Sequence, residues 1–264
     1  MLMQEKVTAS LQKIGISYEL RCLEQTDSTN LEIRRAAVNQ GSHGLVVTAE
    51  SQSAGRGRRG RNWKSPAGEN LYFSMLLLPD FPQEKASMLT LTAAMAVAYA
   101  LRETGVDARI KWPNDVVIGT RKVCGILTEL GWRPDGRYFV IVGIGINVNQ
   151  RQFEEEIAQT ATSLALQMGA AVEREAILGA VLQKFSFYYN RFSLRHDLGD
   201  LREEYEEILV NRGQQVKVLD PKGEWCGEAF GINDAGELLV RHEDGRIEPV
   251  YAGEVSVRGI YGYV

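Results

Sequence analysis

Residues 55–61 read GRGRRGR and bring four arginines and three glycines together in one segment, here called the Arg/Gly loop. A guanidinium group is always charged and presents a planar fork of N–H donors that fits carboxylate and phosphate oxygens. Glycine lets such a ligand approach the backbone closely. The loop therefore predicts a site for a small anion, although a solvated basic turn and an RGG-like nucleic-acid segment fit the same residues. Neither the Walker A order nor a dinucleotide-binding fingerprint is present.

A second group of chemically active residues lies in KWPND, residues 111–115. Lys111 can hold a phosphate as a point charge and Asp115 can hold Mg²⁺, a pairing that suits a nucleoside triphosphate. An exposed ion pair beside a turn is the structural alternative. Lys122 and Gly125 begin the next predicted strand, where glycine permits close approach of a ligand. Asn147 ends a later apolar strand and either recognises a ribose or base edge or closes a turn.

The overall composition restricts the class of protein. The chain has 264 residues, 44% of them hydrophobic, and 34 acidic against 30 basic residues give a formal net charge of −4. This balance does not favour nucleic acid or an anionic membrane as a general partner, so the basic loop must act locally on a small ligand. The three cysteines have no metal-binding spacing and fit a reducing compartment. Because no segment resembles an export signal or a membrane span, we expect a cytoplasmic protein with no membrane partner.

Hydrophobic periodicity predicts the elements that position these residues. The spacing of Thr29 and Glu32 is that of a capping box and predicts a helix start, with the helix ended by Gly41. A buried strand over residues 44–50 then delivers Gln52 and the Arg/Gly loop at its end. Helices are also predicted over about 3–14 and 83–103, and strands over 71–78, 108–112, 116–118, 122–130 and 138–147.

Beyond residue 150 the pattern changes twice. Residues 151–210 are helical in pattern, and short strands of period two are predicted over 215–219, 224–230, 237–241, 247–250 and 254–257. The predicted fold class is α+β with α/β character: a mixed sheet with flanking helices, followed by a small β-barrel. We place the catalytic domain at residues 1–211 and the barrel at residues 212–264.

In this order the motifs resemble those of biotin protein ligases. The resemblance covers roughly residues 20–260 and rests on STN at 28–30, Gln52 with GRGRRGRNW at 55–63, KWPND at 111–115, RKVCGIL at 121–127 and GIGIN at 143–147. It implies an SH3-like terminal barrel and a Mg²⁺-dependent enzyme that activates biotin with ATP to biotinyl-5′-AMP. A lysine of the biotin carboxyl carrier protein, a subunit of acetyl-CoA carboxylase or a related carboxylase, would then receive the biotinyl group.

The same resemblance implies roles for individual residues. Arg58, Lys111 and Lys122 would be catalytic, because a carboxylate that meets a triphosphate needs permanent cations around it. Biotin would be bound by Ser28, Thr29, Asn30, Gln52, Gly55, Arg56, Gly57, Arg58, Lys122 and Gly125. ATP would be bound by Arg56, Arg58, Trp63, Lys111, Asp115 and Asn147, with Asp115 as the metal ligand. Cys124 is interpreted as a small apolar filler beside biotin.

Two other functions fit part of the sequence. A lipoate–protein ligase shares the adenylate chemistry but is not expected to combine GRGRRGRNW with KWPND. A nucleic-acid-binding module would use the Arg/Gly loop, although stacking aromatics between its arginines are missing. Some biotin ligases carry an N-terminal winged helix-turn-helix; since 27 residues precede Ser28, we expect no operator binding. A homodimer is the remaining partner considered, and the loop is expected to be mobile until an adenylate orders it.

Overall fold

A seven-stranded sheet carries five of the residues predicted to be functional on its strands: Gln52, Lys111, Asp115, Lys122 and Gly125. The computed structural model describes residues 4–13, 15–220, 223–252 and 256–259. The strands of this sheet are β1 (Glu19–Thr26), β2 (Leu45–Gln52), β3 (Leu71–Leu77), β4 (Ala108–Lys111), β5 (Asp115–Ile118), β6 (Arg121–Trp132) and β7 (Tyr138–Ile146). Their order is β1-β2-β3-β7-β6-β5-β4. Only β1 and β2 are parallel, so the sheet is mixed.

Helices cover both faces of this sheet. They are α1 (Gln4–Gln12), α2 (Thr29–Val38), α3 (Met88–Arg102), α4 (Glu155–Ala158), α5 (Leu164–Met168), α6 (Arg174–Arg195) and α7 (Arg202–Glu207). Strand side chains alternate between faces, so Phe73 and Met75 pack in the large core with α3 and α6. Leu45 and Ile141 face the other way and pack with Ile33 of α2. This two-sided burial explains why the central strands are apolar throughout.

A second, five-stranded sheet follows in the chain. It comprises β8 (Gln215–Asp220), β9 (Gly223–Ile232), β10 (Leu238–Arg241), β11 (Ile247–Val250) and β12 (Ser256–Gly259), all antiparallel and in the order β11-β10-β9-β8-β12. Trp112, 1% exposed, connects the two sheets. Its indole Nε1 donates to the carbonyl of Gly236 over 3.0 Å, and its backbone N–H donates to Asn211 Oδ1 over 2.8 Å.

The predicted fold class, a mixed sheet with flanking helices followed by a small antiparallel β unit, is confirmed. The SH3-like closure and the boundary at residues 211 and 212 stay predictions. No helix within the described residues is long and apolar enough to cross a bilayer. The first predicted helix and the last predicted strand lie only partly within the described residues. Outside them are Met3 and Ile14 of the helix and Glu254 and Val255 of the strand.

The sequence interpretation differs from the structure at two elements. Strand β1 was not predicted, because it is an edge strand whose buried positions, Leu20 and Thr26, do not alternate with a period of two. The helix predicted over residues 83–103 is divided: a 3₁₀ turn, Gln83–Lys85, precedes α3. Pro82 directly precedes that turn, and its fixed φ suits a separate short turn.

Candidate active site

A pocket forms where the start of α2 meets β2, β6 and β7, and this cavity is here called the first pocket. It is lined by Ser28, Thr29, Asn30, Gln52, Arg56, Gly57, Trp63, Asn114, Lys122, Gly125, Ile126, Leu127, Gly143, Ile144 and Gly145. The structure thus brings together the residues predicted to bind biotin, apart from Gly55 and Arg58. The carbonyl of Gly55 accepts a hydrogen bond from the backbone N–H of Trp63, and Gly55 does not line the pocket. Arg58 lines a neighbouring cleft.

The capping box predicted at the start of α2 is wrong. Ser28 is the N-cap residue and makes no side-chain capping bond. Glu32 instead accepts a hydrogen bond from Thr26 Oγ1 over 2.8 Å and pairs with Arg35. The backbone N–H of Thr29 donates to Gln52 Oε1 over 2.9 Å. The side chain of Gln52, at the end of β2, therefore accepts from one of the backbone N–H groups that the first turn of α2 leaves without a partner. This hydrogen bond joins two of the segments predicted to bind biotin.

Asn30 is fixed by polar contacts on both sides of its amide. Its Nδ2 donates to Glu129 Oε2 over 2.7 Å, and its Oδ1 lies 2.6 Å from the hydroxyl oxygen of buried Ser74. The amide rests directly on Gly143 of β7, where an added Cβ would lie 2.0 Å from Asn30 Oδ1. A glycine is required here because the helix start and the strand approach so closely.

A Gly143→Ala variant is expected to bind biotin weakly and to lose about 1–3 kcal/mol of unfolding free energy, because Asn30 must move out of its contacts. Urea denaturation and calorimetry with biotin measure the two effects. Gly179→Ala is the matched control, since Gly179 lies in α6 with nothing within 4 Å of the added methyl. Wild-type stability and biotin affinity in Gly143→Ala would contradict the proposed close contact.

The Arg/Gly loop has the backbone of a small hairpin. Trp63 N–H donates to the carbonyl of Gly55 over 2.9 Å, and Gly57 N–H donates to that of Arg61 over 2.7 Å. Residue 59 turns the chain with φ of 58°, in the left-handed region that an arginine rarely adopts. These hydrogen bonds hold the two ends of the loop together at its base. The expectation that the loop is mobile without a ligand stays a prediction.

The arginines of the hairpin point in different directions. Arg56 Nη1 lies 3.1 Å from Glu129 Oε1 on β6. Arg58 Nη1 donates to Asn114 Oδ1 over 2.9 Å, and its Nη2 donates to the carbonyl of Ala252 over 2.5 Å. Burial lowers the pKa of the Arg58 guanidinium from its ordinary value, yet arginine is so basic that it stays charged at neutral pH. Arg58 therefore ties the loop both to KWPND and to the chain after β11.

A second cavity, here called the basic cleft, adjoins the first pocket and has a volume of about 590 Å³. The hairpin of β4 and β5 pairs Lys111 with Asp115, and Lys122 Nζ lies 2.6 Å from Asp115 Oδ1. The cleft is lined by Arg58, Arg59, Arg61, Lys111, Trp112, Pro113, Asn114, Asp115, Lys122, Glu156, Ile157, Thr160 and Val257. Five of these residues are cationic and two are acidic, a balance that suits a polyphosphate.

Trp63 and Asn147, both predicted to bind ATP, line a third cavity of about 320 Å³ together with Lys122. Lys122 Nζ lies 5.2 Å from the centre of the Trp63 ring, a cation–π contact. The indole Nε1 of Trp63 is buried and has no hydrogen-bond partner within the described parts of the chain. Asn147 Nδ2 donates to the carbonyl of Thr162 over 3.0 Å, which favours the turn-closing interpretation of this residue.

Asn114 lines the first pocket and the basic cleft, and Glu129 contacts two residues of the first pocket from outside it; neither residue was selected from the sequence. Asn114 accepts from Arg58 and donates through Nδ2 to the carbonyl of Ile126 over 3.0 Å. Glu129 binds Asn30 and Arg56. The available signals were a third polar residue inside KWPND, beside Lys111 and Asp115, and an acidic residue within the apolar strand predicted over 122–130.

The donor set fits Mg²⁺ only together with a nucleotide. No cluster of three or more His, Cys, Asp or Glu side chains that could hold a metal occurs in the described residues. Mg²⁺ is commonly held by one or two carboxylates plus substrate phosphates, a role that Asp115 can fill beside the cationic wall. Cys124 is fully buried, and burial raises the pKa of its thiol, so it suits packing and not nucleophilic attack.

Comparison with known proteins finds matches to the regions of both sheets. Residues 22–149 match the model of the biotin/lipoate A/B protein ligase family, and residues 213–258 match the biotin protein ligase C-terminal domain. The chain is 35% identical over 233 residues to the bifunctional ligase/repressor BirA of Bacillus subtilis, covering 87% of this chain and 71% of that protein. It is 34% identical to the biotin–[acetyl-CoA-carboxylase] ligase of Mycobacterium tuberculosis, covering 90% of this chain and 88% of that one.

A solved structure matches as well. The biotin protein ligase from Aquifex aeolicus, in complex with biotin and ATP, superposes with a TM-score of 0.81 at 36% sequence identity. The match covers 91% of this chain and 99% of that chain.

Proposed function

The chain belongs to the biotin protein ligase family, and from this premise we propose that it joins biotin to a lysine of a biotin carboxyl carrier protein through biotinyl-5′-AMP. One observation carries the proposal. Lys122 borders the first pocket, the basic cleft and the third cavity. A cation at this junction can meet a carboxylate from one side and a phosphate from the other.

In the first reaction a carboxylate oxygen of biotin forms a bond to the α-phosphorus of ATP. The bond between the α-phosphorus and the oxygen that bridges it to the β-phosphorus breaks, and pyrophosphate leaves with the electron pair. Both reactants are anionic, so their approach is disfavoured unless cations are already in place. Lys122 and Arg58 would neutralise the reacting groups, and Lys111, 5% exposed on β4, would hold the polyphosphate. Mg²⁺ beside Asp115 would supply further screening of the phosphate charge.

In the second reaction the neutral amine of the carrier lysine attacks the acyl carbonyl and loses one proton to solvent, and AMP leaves with the electron pair of the broken acyl–oxygen bond. The site's contribution is to hold the mixed anhydride away from water until the lysine arrives. The Arg/Gly loop lies over this place, since Arg56 and Gly57 line the first pocket and Arg58 lines the basic cleft. The carrier protein, a homodimer and a cytoplasmic location stay predictions.

The structure favours the biotin ligase over the two alternatives. The C-terminal match is to a domain of biotin protein ligases, which supports biotin over lipoate as the acid. In a nucleic-acid-binding segment the guanidinium groups would face an open surface. Here Arg58 is partly buried and donates to Asn114 and the carbonyl of Ala252, and Arg56 pairs with Glu129 beside the first pocket, which supports a site for a small ligand.

Incubation with biotin, Mg-ATP and a biotin carboxyl carrier domain tests the proposal. We expect the mass of the carrier to rise by one biotinyl group, and we expect ATP/pyrophosphate exchange to depend on biotin. Exchange supported by lipoate and not by biotin would favour the lipoate ligase. A salt-dependent gel shift with no exchange for either acid would favour the nucleic-acid-binding module.

A further inference from the structure

Glu129 joins two walls of the first pocket without lining the pocket itself. Its Oε2 accepts from Asn30 Nδ2 over 2.7 Å, and its Oε1 lies 3.1 Å from Arg56 Nη1. Asn30 belongs to α2 and Arg56 to the Arg/Gly loop. One carboxylate on β6 thus connects a helix start to a loop, and both connected residues line the pocket.

The surroundings of Glu129 explain why its charge matters. Its side chain is 17% exposed, and a partly buried carboxylate costs free energy unless donors satisfy it. Asn30 and Arg56 each reach an oxygen, and Arg34 Nη2 of α2 lies 3.8 Å from Oε1. An ionised carboxylate accepts at both oxygens, so it can satisfy donors from the helix and the loop together.

The contact with Arg56 bears on the whole loop hairpin. Arg56 pairs with Asn62 across the base of the hairpin, and Gly55 next to it binds the backbone of Trp63. Holding Arg56 against β6 therefore sets the base from which Arg58 and Trp63 project. The loop's other side is held by Arg58, through Asn114 and Ala252, in the basic cleft.

We propose that Glu129 is a positioning residue that latches the Arg/Gly loop over the first pocket, through its ion pair with Arg56, and fixes the Asn30 amide at the same time. The effect on biotin binding rests on the proposed function, whereas the effect on the loop does not. Glu129 touches no predicted ligand; it acts through two residues that do.

Glu129→Gln separates the latch from a general structural role. Glutamine keeps the volume and an acceptor for Asn30, but it removes the charge that Arg56 faces. We expect trypsin to cut the Arg/Gly loop of the ligand-free variant about tenfold faster, the usual order for one lost charge-assisted contact. We expect biotin to bind about tenfold more weakly, with the melting temperature and the turnover at saturating biotin close to wild type.

Glu228→Gln is the matched control, because Glu228 forms a similar ion pair, 2.6 Å from Arg241, in the second sheet. It should change neither loop cleavage nor biotin affinity. Wild-type values of both in Glu129→Gln would overturn the latch. Failure of the wild-type protein to bind biotin in calorimetry would count against the proposed function, while the ligand-free cleavage assay would still decide on the latch.

A double-mutant cycle gives an independent readout. Arg56→Gln alone should open the loop as much as Glu129→Gln does, and the double variant should be cut no faster than either single variant, because all three lack the same ion pair. Arg58, Arg59 and Arg61 remain as cleavage sites in each variant. Additive effects of the two substitutions would overturn the latch.

Discussion

Lys122→Met is expected to lower biotin-dependent ATP/pyrophosphate exchange by about 10²- to 10³-fold, the loss typical for removal of one preorganised charge stabiliser. Lys122 Nζ lies 2.6 Å from Asp115 and over the ring of Trp63, at the junction of the three cavities. Methionine fills nearly the same space without charge, so the reacting anions would repel each other and Asp115 would lose this cation.

Exchange of labelled pyrophosphate into ATP measures this loss directly. Lys184→Met is the control, because Lys184 lies in α6 and pairs with Glu103 over 2.5 Å, away from the cavities. That variant should exchange at the wild-type rate. If Lys122→Met retained more than a tenth of the wild-type rate, the charge of Lys122 would not be central to adenylation.

Arg58→Ala is expected to release the biotinyl adenylate about ten- to a hundredfold faster, while adenylation falls by less. Its two charge-assisted contacts, to Asn114 and to the carbonyl of Ala252, hold the loop across the basic cleft, and the expected factor corresponds to a net loss close to that of one such contact, about 1.5–3 kcal/mol. Losing them opens the site after the intermediate forms. Other cations would still support its formation.

Mass spectrometry of the filtrate, and biotinylation of a bystander protein rich in lysine, measure the released intermediate. Arg137→Ala is the control, since Arg137 pairs only locally with Asp135 in the β6–β7 turn. A filtrate with no more adenylate than wild type would refute the role given to Arg58.

The sequence predicted which residues meet at the first pocket better than the hydrogen bonds that hold them there. Residues as far apart as Ser28 and Gly125 were expected at one pocket and line it. Arg58 was expected there too, but lies in the basic cleft because Asn114 and Ala252 attract its guanidinium. Such contacts join residues 56 and 194 positions apart, and no local spacing reveals them.

Local patterns failed where a tertiary partner competed. The spacing of Thr29 and Glu32 predicted a capping box, but Arg35 and Thr26 take the carboxylate and Gln52 supplies the helix start. Strand β1 was missed because an edge strand needs little apolar patterning. The central strands and α3 were found readily, since burial on both sides makes them continuously apolar.

The bonds from Trp112 to Gly236 and from Arg58 to Ala252 give the terminal sheet a part in the architecture of the catalytic half. A chimaera with the second sheet of a distant relative would have to reproduce two backbone carbonyls at matching positions, although no side chain of that sheet is needed to make either bond. Interchangeability between relatives would then depend on loop geometry after β9 and β11, including a glycine at position 236, whose φ of 77° other residues rarely adopt. The two sheets are separate in the chain, but a change in either one has to preserve the same two hydrogen bonds.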